Sequence, residues 1–451
     1  MFSKILVANR GEIALRVLRT CREMGIKSVA VYSDADETSI HRHYADEAVN
    51  IGPPLVRKSY LNADRILEEA KKMGVDAIHP GYGFLSENSA FSQACEDNNI
   101  KFIGPCAKAM DLSGEKITAL KIAAENDVPL TPGSDGALAD KEEAVKYAQK
   151  IGYPVILKAS GGGGGRGMKI ANNDQELIDN FSIARGEVMA AFNNPDIYVE
   201  KYLQAPRHVE LQVLADEHGN CIHLGERECS VQRNYQKLIE EAPSPFLDPQ
   251  LRKKMGDASI KLIKAVGYAN AGTVEFLVDA DKNFYFNEIN ARLQVEHPVT
   301  EMVYGLDLVK QQIKIAQGTR LEIEQNQVQP LGWAFECRIN AEDPANNFMP
   351  MPGKLTELNM AGGIGVRTDT HIYQGYEIPP FYDSLIAKLL VWGETRVDAV
   401  RRMVRALNEF KIKGLPTTIP FHLNVMNDAD FIEGNISTKY IDTHPQLLKF
   451  D

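Results

Sequence analysis

Three observations predict an α/β chain that opens on a parallel sheet and passes into mixed α+β structure. Short apolar runs alternate with helical patterns between Lys4 and Pro105, a glycine run follows a lysine-bearing strand near residue 160, and strand patterns dominate from His208 onward. At 451 residues the chain is too long for one ordinary core, so two or three domains are expected.

Ile5-Leu6-Val7-Ala8 reads as the first strand. Ile13, Val17, Leu18, Cys21 and Met24 then recur at helical spacing, and Gly25 supplies the stop. Val29-Ala30-Val31-Tyr32 follows as a strand. Ala77-Ile78-His79 and Lys101-Phe102-Ile103 end in Pro80-Gly81 and Gly104-Pro105. Such sheets bind ligands beyond the carboxyl ends of their strands, where the loop 81–88 falls. Pro132-Gly133-Ser134-Asp135-Gly136 marks a boundary near residue 131. Beyond it, Val155-Ile156-Leu157-Lys158-Ala159, Ile197-Tyr198-Val199-Glu200 and Val209-Glu210-Leu211-Gln212-Val213-Leu214 read as strands.

Hydrophobic residues make up 44% and charged residues 25%, the balance of a globular protein. A formal net charge of -11 argues against nucleic-acid binding, which needs clustered cations, but a local basic pocket can still receive a small anion. No pair among the six cysteines has C-x-x-C spacing, so no zinc site is expected. Scattered thiols point to a reducing compartment. No signal peptide is read at Met1, and no apolar run reaches the roughly 20 residues of a membrane span, so the expectation is a cytoplasmic protein.

Three constellations carry chemistry. Lys158 precedes Gly161-Gly162-Gly163-Gly164-Gly165-Arg166-Gly167-Met168-Lys169. Consecutive glycines let backbone N–H groups approach an anion. The Walker A pattern is absent, and Met168-Lys169-Ile170 reads as a strand, not the helix a dinucleotide motif needs. A flap closing over a triphosphate fits this pattern; a flexible linker is the plainer alternative. In the second constellation a hairpin centred between Asp281 and Lys282 would set Glu275 opposite Glu288. Such a pair holds a proton or a cation, magnesium bridging phosphates being the obvious occupant, unless both side chains splay into water.

In the third, Glu288, Asn290, Arg292, Gln294 and Glu296 alternate with Ile289, Ala291, Leu293 and Val295, so an extended strand would put all five polar groups on one face. Arg292 can clamp a planar oxyanion, and Glu296 can serve it as a base. Softer candidates are Lys116, the dense polar run from Glu226 to Lys237 (a surface helix on one reading), Arg338 with Glu336 on its face, and Cys229, whose position suggests reactivity.

Ala8-Asn9-Arg10-Gly11-Glu12-Ile13-Ala14, His79-Pro80-Gly81-Tyr82-Gly83-Phe84-Leu85, the glycine run and Arg292-Leu293-Gln294-Val295-Glu296-His297-Pro298-Val299-Thr300-Glu301 resemble, in order, the motifs of the biotin carboxylase family. The resemblance extends from about Lys4 to about Tyr440. It implies the ATP-grasp fold, with a Rossmann-like N-terminal domain (1–114), an ATP-grasp region (115–317) containing a glycine-flap lid (131–203), and a mixed β-rich C-terminal domain (318–447).

Residue by residue, the resemblance implies ATP contacts at Lys116, Lys158, Gly163, Gly164, Gly165, Arg166, Gly167 and Met168. Adenine would meet the hinge Glu200-Lys201-Tyr202-Leu203, with further nucleotide contacts at His208, Gln232 and Tyr235. Tyr235 stands where several family members carry His. Glu275, Glu288 and Asn290 match the ligands of magnesium or manganese. Lys237, Arg292, Gln294 and Val295 match the bicarbonate site, Glu296 the base, and Arg338 the arginine that stabilises the biotin enolate. The strand Asn287-Glu288-Ile289-Asn290-Ala291 departs from the family around its ligands, where an apolar residue, Met and Thr or Pro are commoner.

The implied reaction is ATP-dependent carboxylation of biotin by bicarbonate. No Ala-Met-Lys-Met biotinylation motif is present; Gly167-Met168-Lys169-Ile170 only resembles one, inside the expected flap. A free-standing subunit is therefore expected, a homodimer whose biotin arrives on a carrier protein and passes to a carboxyltransferase. The alternatives are another ATP-grasp ligase, a non-catalytic nucleotide binder and a nicotinamide-dependent oxidoreductase.

Overall fold

The computed structural model describes residues 1–134, 136–159, 168–192 and 196–450. β1 (Lys4–Val7), β2 (Lys27–Ser33), β3 (Glu47–Gly52), β4 (Ala77–His79) and β5 (Lys101–Phe102) form a parallel sheet in the order β3-β2-β1-β4-β5. Both faces of β1 are covered, which is why it reads as an unbroken apolar run. On one side Ile5 and Val7 pack against Ile13, Val17, Leu18 and Cys21 of α1 (Gly11–Glu23). On the other, Leu6 and Ala8 join Ile66, Ala70, Phe91 and Cys95 of two further helices. β3 escaped sequence analysis because it is an edge strand whose Glu47 and Asn50 break the apolar signal. β5 stops at Phe102, one residue before the expected end.

Two of the motifs meet at the carboxyl end of this sheet. The Asn9 amide donates to the carbonyls of Pro80 (2.7 Å) and Tyr82 (2.8 Å). Gly81 lies between them at φ +64°, and a Cβ there would stand 2.9 Å from Asn9 Nδ2, so only glycine fits.

A second, antiparallel sheet holds β6 (Val155–Ala159), β7 (Lys169–Ala171) and β8 (Ile197–Lys201) in the order β7-β6-β8. A strand, and not a helix, thus follows the glycine run. The expected flap residues Gly163, Gly164, Gly165, Arg166 and Gly167 lie outside the described residues. Val155 and Leu157 enter the core of this lobe, leaving Ile156 and Lys158 on the opposite face.

The remaining long strands are β9 (Arg207–Ala215), β10 (Cys221–Arg233), β11 (Gln236–Ala242), β12 (Asn270–Val278), β13 (Phe284–Asn290), β14 (Trp333–Asn340), β15 (Val366–Thr370) and β16 (Leu385–Gly393). They make one antiparallel sheet, ordered β13-β12-β9-β10-β11-β14-β16-β15, which continues across residue 318. The polar run from Glu226 to Lys237 is not a surface helix. It forms β10 and the start of β11, with Glu226, Arg227, Glu228 and Cys229 no more than 1% exposed. Its buried polar side chains meet partners from other segments, Arg252 at Glu226, Glu210 at Arg227 and Arg207 at Glu228, so no hydrophobic period advertises the strand. Among the described residues, no helix is long and apolar enough to cross a membrane.

Candidate active site

A cavity of about 1030 Å³ opens where the three sheets converge. Its walls carry Lys116, Lys158, Met168, Glu200, Lys201, Leu203, His208, Gln232, Tyr235, Lys237, Glu275, Glu288, Asn290, Arg292, Gln294, Val295, Glu296 and Arg338. The nucleotide, metal, anion and base candidates within the described residues therefore reach one space, whereas Cys229 and Glu336 are buried behind its wall and do not line it.

β12 and β13 pair so that Glu275 stands directly opposite Glu288, by a different route from the one expected. Phe276 pairs with Phe286, so the turn centres on Asp281, half a residue early, and each partner near the turn shifts by one. A bulge at Asn287 then restores the register at Glu288. Glu275 receives hydrogen bonds from Lys237 (3.0 Å), Asn290 (3.0 Å) and Gln294 (2.8 Å), and His208 Nε2 lies 3.0 Å away. Burial would raise its pKa; Lys237 and His208 overcome that and hold it well below the carboxylate range. Burial and the Glu275 charge push Glu288 upward instead. A second positive charge beside Glu288 would relieve that repulsion, so this oxygen-rich pair fits a hard divalent cation, with the Asn290 carbonyl as a further donor.

The expected strand from 288 to 296 ends at Asn290, and residues 291–296 form an irregular loop. Ala291 and Leu293 are buried as an alternating strand would have them. The polar residues are not spread along one exposed face, however: Asn290, Gln294 and Glu296 are also buried, each turned toward a cation or amide in the cavity wall. Arg292 is held from outside the motif by Glu87, whose carboxylate accepts from Arg292 Nε (2.9 Å) and from the Ala291 N–H (3.1 Å). Glu296 contacts Lys237 Nζ at 2.6 Å and Arg338 Nη2 at 2.9 Å. Burial alone would raise its pKa, but Lys237, Arg338 and Arg227 outweigh burial and keep the carboxylate ionised. Arg338 Nε donates to Glu240 at 2.6 Å, so this guanidinium is shared between two carboxylates. Cys229 is fully buried and burial pushes its thiol well up, which makes it inert and corrects the reading of a reactive cysteine.

At the other end of the cavity, β6 and β8 bring Lys158 onto Glu200. Lys116 begins the helix Lys116–Glu125; burial and the nearby Lys158 ammonium lower its pKa. Two close, partly desolvated ammonium groups suit a polyanion. Lys201 turns away to the carbonyls of Gly152 (3.0 Å) and Tyr153 (2.8 Å). Tyr235 is 60% exposed at the β10–β11 turn, with φ +64°.

Residues 1–110 match the family model "Biotin carboxylase, N-terminal domain", 115–324 "Carbamoyl-phosphate synthase L chain, ATP binding domain", and 336–443 "Biotin carboxylase C-terminal domain". The chain is 54% identical to biotin carboxylase 1 of Bacillus subtilis (strain 168) over 98% of its length and 99% of that protein's. The chain belongs to the biotin carboxylase family. It is 50% identical to the 2-oxoglutarate carboxylase small subunit of Hydrogenobacter thermophilus, covering 100% of this chain and 95% of that one. The crystal structure of the biotin carboxylase domain dimer of that 2-oxoglutarate carboxylase, in complex with MgADP, ADP and bicarbonate, superposes with a TM-score of 0.95 at 49% identity, covering 100% of this chain and 99% of that one. The Campylobacter jejuni biotin carboxylase–βγ-ATP complex gives 0.96 at 50% identity, covering 98% and 99%. The fold is ATP-grasp, and the chain is a ligase of the ATP-dependent carboxylating kind.

Within this biotin carboxylase fold, three residues of the site, Glu87, Glu210 and Glu240, are not among the sequence candidates, and Arg227 is one only as part of the polar run from Glu226 to Lys237. Glu87 lies in the loop 81–88 already marked by its position, and its acidic charge beside a cleft needing Arg292 was the available signal. Glu210 sits between Lys237 and Arg227 with no exposure. Arg227 is the hub of the floor, donating to Glu210, Gln212 (2.6 Å), Thr300 (3.0 Å), Thr273 (3.1 Å) and Gln294 (3.3 Å). Glu240 fixes the outer side of Arg338. These three lie on β9, β10 and β11, and nothing along the chain reveals which strands are neighbours.

Proposed function

We propose that this chain carboxylates biotin, borne on a separate carrier protein or domain, using MgATP and bicarbonate, as the first half-reaction of an acetyl-CoA, pyruvate, 2-oxoglutarate or related carboxylase. The observation that carries this reading is Glu296 held ionised between Lys237 and Arg338, beside Arg292 and the opposed pair Glu275–Glu288.

Glu275, Glu288 and Asn290 are the residues suited to hold magnesium or manganese, which when bound neutralises triphosphate charge and polarises the γ-phosphorus. Lys116 and Lys158 take the phosphates, with His208, Gln232, Tyr235 and the hinge around Lys201 and Leu203 on the nucleoside. Arg292, Lys237, Gln294 and the Val295 N–H orient bicarbonate. Glu296 accepts the bicarbonate proton as the freed oxygen attacks the γ-phosphorus, and the bond to ADP breaks. Carboxyphosphate then divides into CO₂ and phosphate, and phosphate takes the ureido N–H proton of biotin. Arg338 stabilises the negative oxygen that results, and the nitrogen captures CO₂. Water would destroy carboxyphosphate, so the reaction needs water kept from the site.

The same reading takes the domain limits as 1–114, 115–317 and 318–447, the oligomer as a homodimer, a carboxyltransferase as the next partner and the cytoplasm as the compartment. Measuring ADP release tests it. Release should require bicarbonate and rise with free biotin or a biotinylated carrier; a requirement for an amine or amino acid instead would overturn it.

A further inference from the structure

The loop 291–296 lies outside any sheet, yet it must aim several groups at one small anion. Its last two peptide planes are each held by a buried side chain with no assigned role. His297 Nδ1 lies 2.8 Å from the Gln294 carbonyl, which can only accept, so Nδ1 carries the proton. The His297 backbone N–H reaches the same carbonyl at 3.3 Å. In a trans peptide the N–H points opposite the C=O. Pulling the Gln294 carbonyl toward His297 therefore turns the Val295 N–H the other way, and Val295 lines the cavity. Among the described residues, nothing accepts from that N–H.

The following peptide is held by Lys388, which projects from β16 with no exposure and donates to the Val295 carbonyl at 3.0 Å. The same ammonium lies 3.0 Å from Glu12 of α1, so one buried charge ties the N-terminal sheet domain and the far side of the large sheet to the loop. His297 is fully buried; burial and the cations Lys388, Arg16 and Arg367 depress its pKa far below the usual value. The ring is therefore neutral, and its single N–H is committed to the Gln294 carbonyl. A buried imidazole with Nε2 lacking a hydrogen-bond partner is a costly way to fill space, which argues that the Nδ1 contact is what retains it.

We propose that His297 and Lys388 are positioning residues for the anion site: they fix the 294–295 and 295–296 peptides so that the Val295 N–H forms an oxyanion donor and Glu296 stays in register with it. The inference rests on the bicarbonate reading given above. An asparagine at 297 can place an N–H near the Nδ1 position, whereas glutamine reaches toward Nε2 and leucine offers no donor.

The test compares H297N, H297Q, H297L, K388R and K388M in the full-length chain, checked for folding by thermal unfolding. The bicarbonate dissociation constant is read from ¹³C line broadening, and KM for bicarbonate and for ATP from ADP release. H297Q, H297L and K388M are expected to weaken bicarbonate by roughly 10- to 100-fold, the usual cost of losing a group that orients a ligand-binding residue, with KM for ATP within about two-fold. H297N and K388R should recover most of the loss. Equal losses for bicarbonate and ATP, or H297N no better than H297L, would overturn the proposal while leaving the reaction intact. Failure of the unmodified chain to bind or require bicarbonate would instead overturn the functional reading.

Discussion

At the residue scale, the proposed base is Glu296, a buried carboxylate held between two cations. Glu296 is ionised because two cations and the Arg227 hub outweigh its burial, which readies it to accept a proton but makes it a weak base. In the proposed reaction Glu296 would gain basicity only if substrate drew Lys237 or Arg338 away from it, because those two cations hold its carboxylate ionised. Glu296→Gln keeps the shape and removes the acceptor. Its kcat for bicarbonate-dependent ADP release is expected to fall by about 10²- to 10⁴-fold, with KM for ATP little changed. Turnover close to that of the unmodified chain would eliminate Glu296 as the base. Residue identities here were legible in sequence, because the 292–301 motif is unusual enough to be read alone. The partners that tune them were not: Glu87 is 205 residues from Arg292, and Glu240 is 98 residues from Arg338.

At the element scale, β9, β10 and β11 are joined by their backbone ladders and line the floor of the cavity with buried charges. Arg227 is fully buried with Glu210 and four other acceptors around it. Arg227→Met leaves Glu210 with one partner fewer in a dry environment. It should destabilise the fold by about 3–5 kcal/mol, the usual cost of breaking a buried ion pair from one side. Urea unfolding measures this, and an unshifted midpoint would show that water replaces the guanidinium. Hairpin β12–β13 shows how local reading can reach a correct pairing by an incorrect path. A turn centred between Asp281 and Lys282 sets Glu275 opposite Glu288, and the structure has that pair only because a one-residue register shift near the turn is cancelled by the bulge at Asn287. Similarly, the alternation of residues 288–296 was real but did not make a strand: Ala291 and Leu293 bury themselves in the cores flanking a loop.

At the scale of the whole molecule, burial of neutral histidines sets an acid limit. Burial lowers the pKa of His41, His79 and His422 to about 4, and burial with the Arg10 charge lowers His371 to about 3. Each is near 6.5 when unfolded. The unfolded chain therefore binds more protons between these values. Stability from this source is complete above about pH 6.5 and is lost as pH falls toward 4. Comparing His371→Gln with the unmodified chain isolates one such group. The variant's unfolding free energy should depend on pH less steeply by up to about 1.4 kcal/mol per pH unit between pH 6 and 4. Parallel profiles would mean that His371 is protonated in the native state.

The sequence by itself determined the family, the parallel opening sheet, the order of the motifs and the identity of the residues offered to the cavity. Each of these is written in local pattern: period, turn chemistry and uncommon residue strings. Tertiary structure alone decided how the loop 291–296 leaves β13, which strands of the large sheet are neighbours, and which cation faces which carboxylate. Those facts depend on contacts between residues far apart in the chain, and a buried salt bridge leaves no periodic trace in either of the segments it joins.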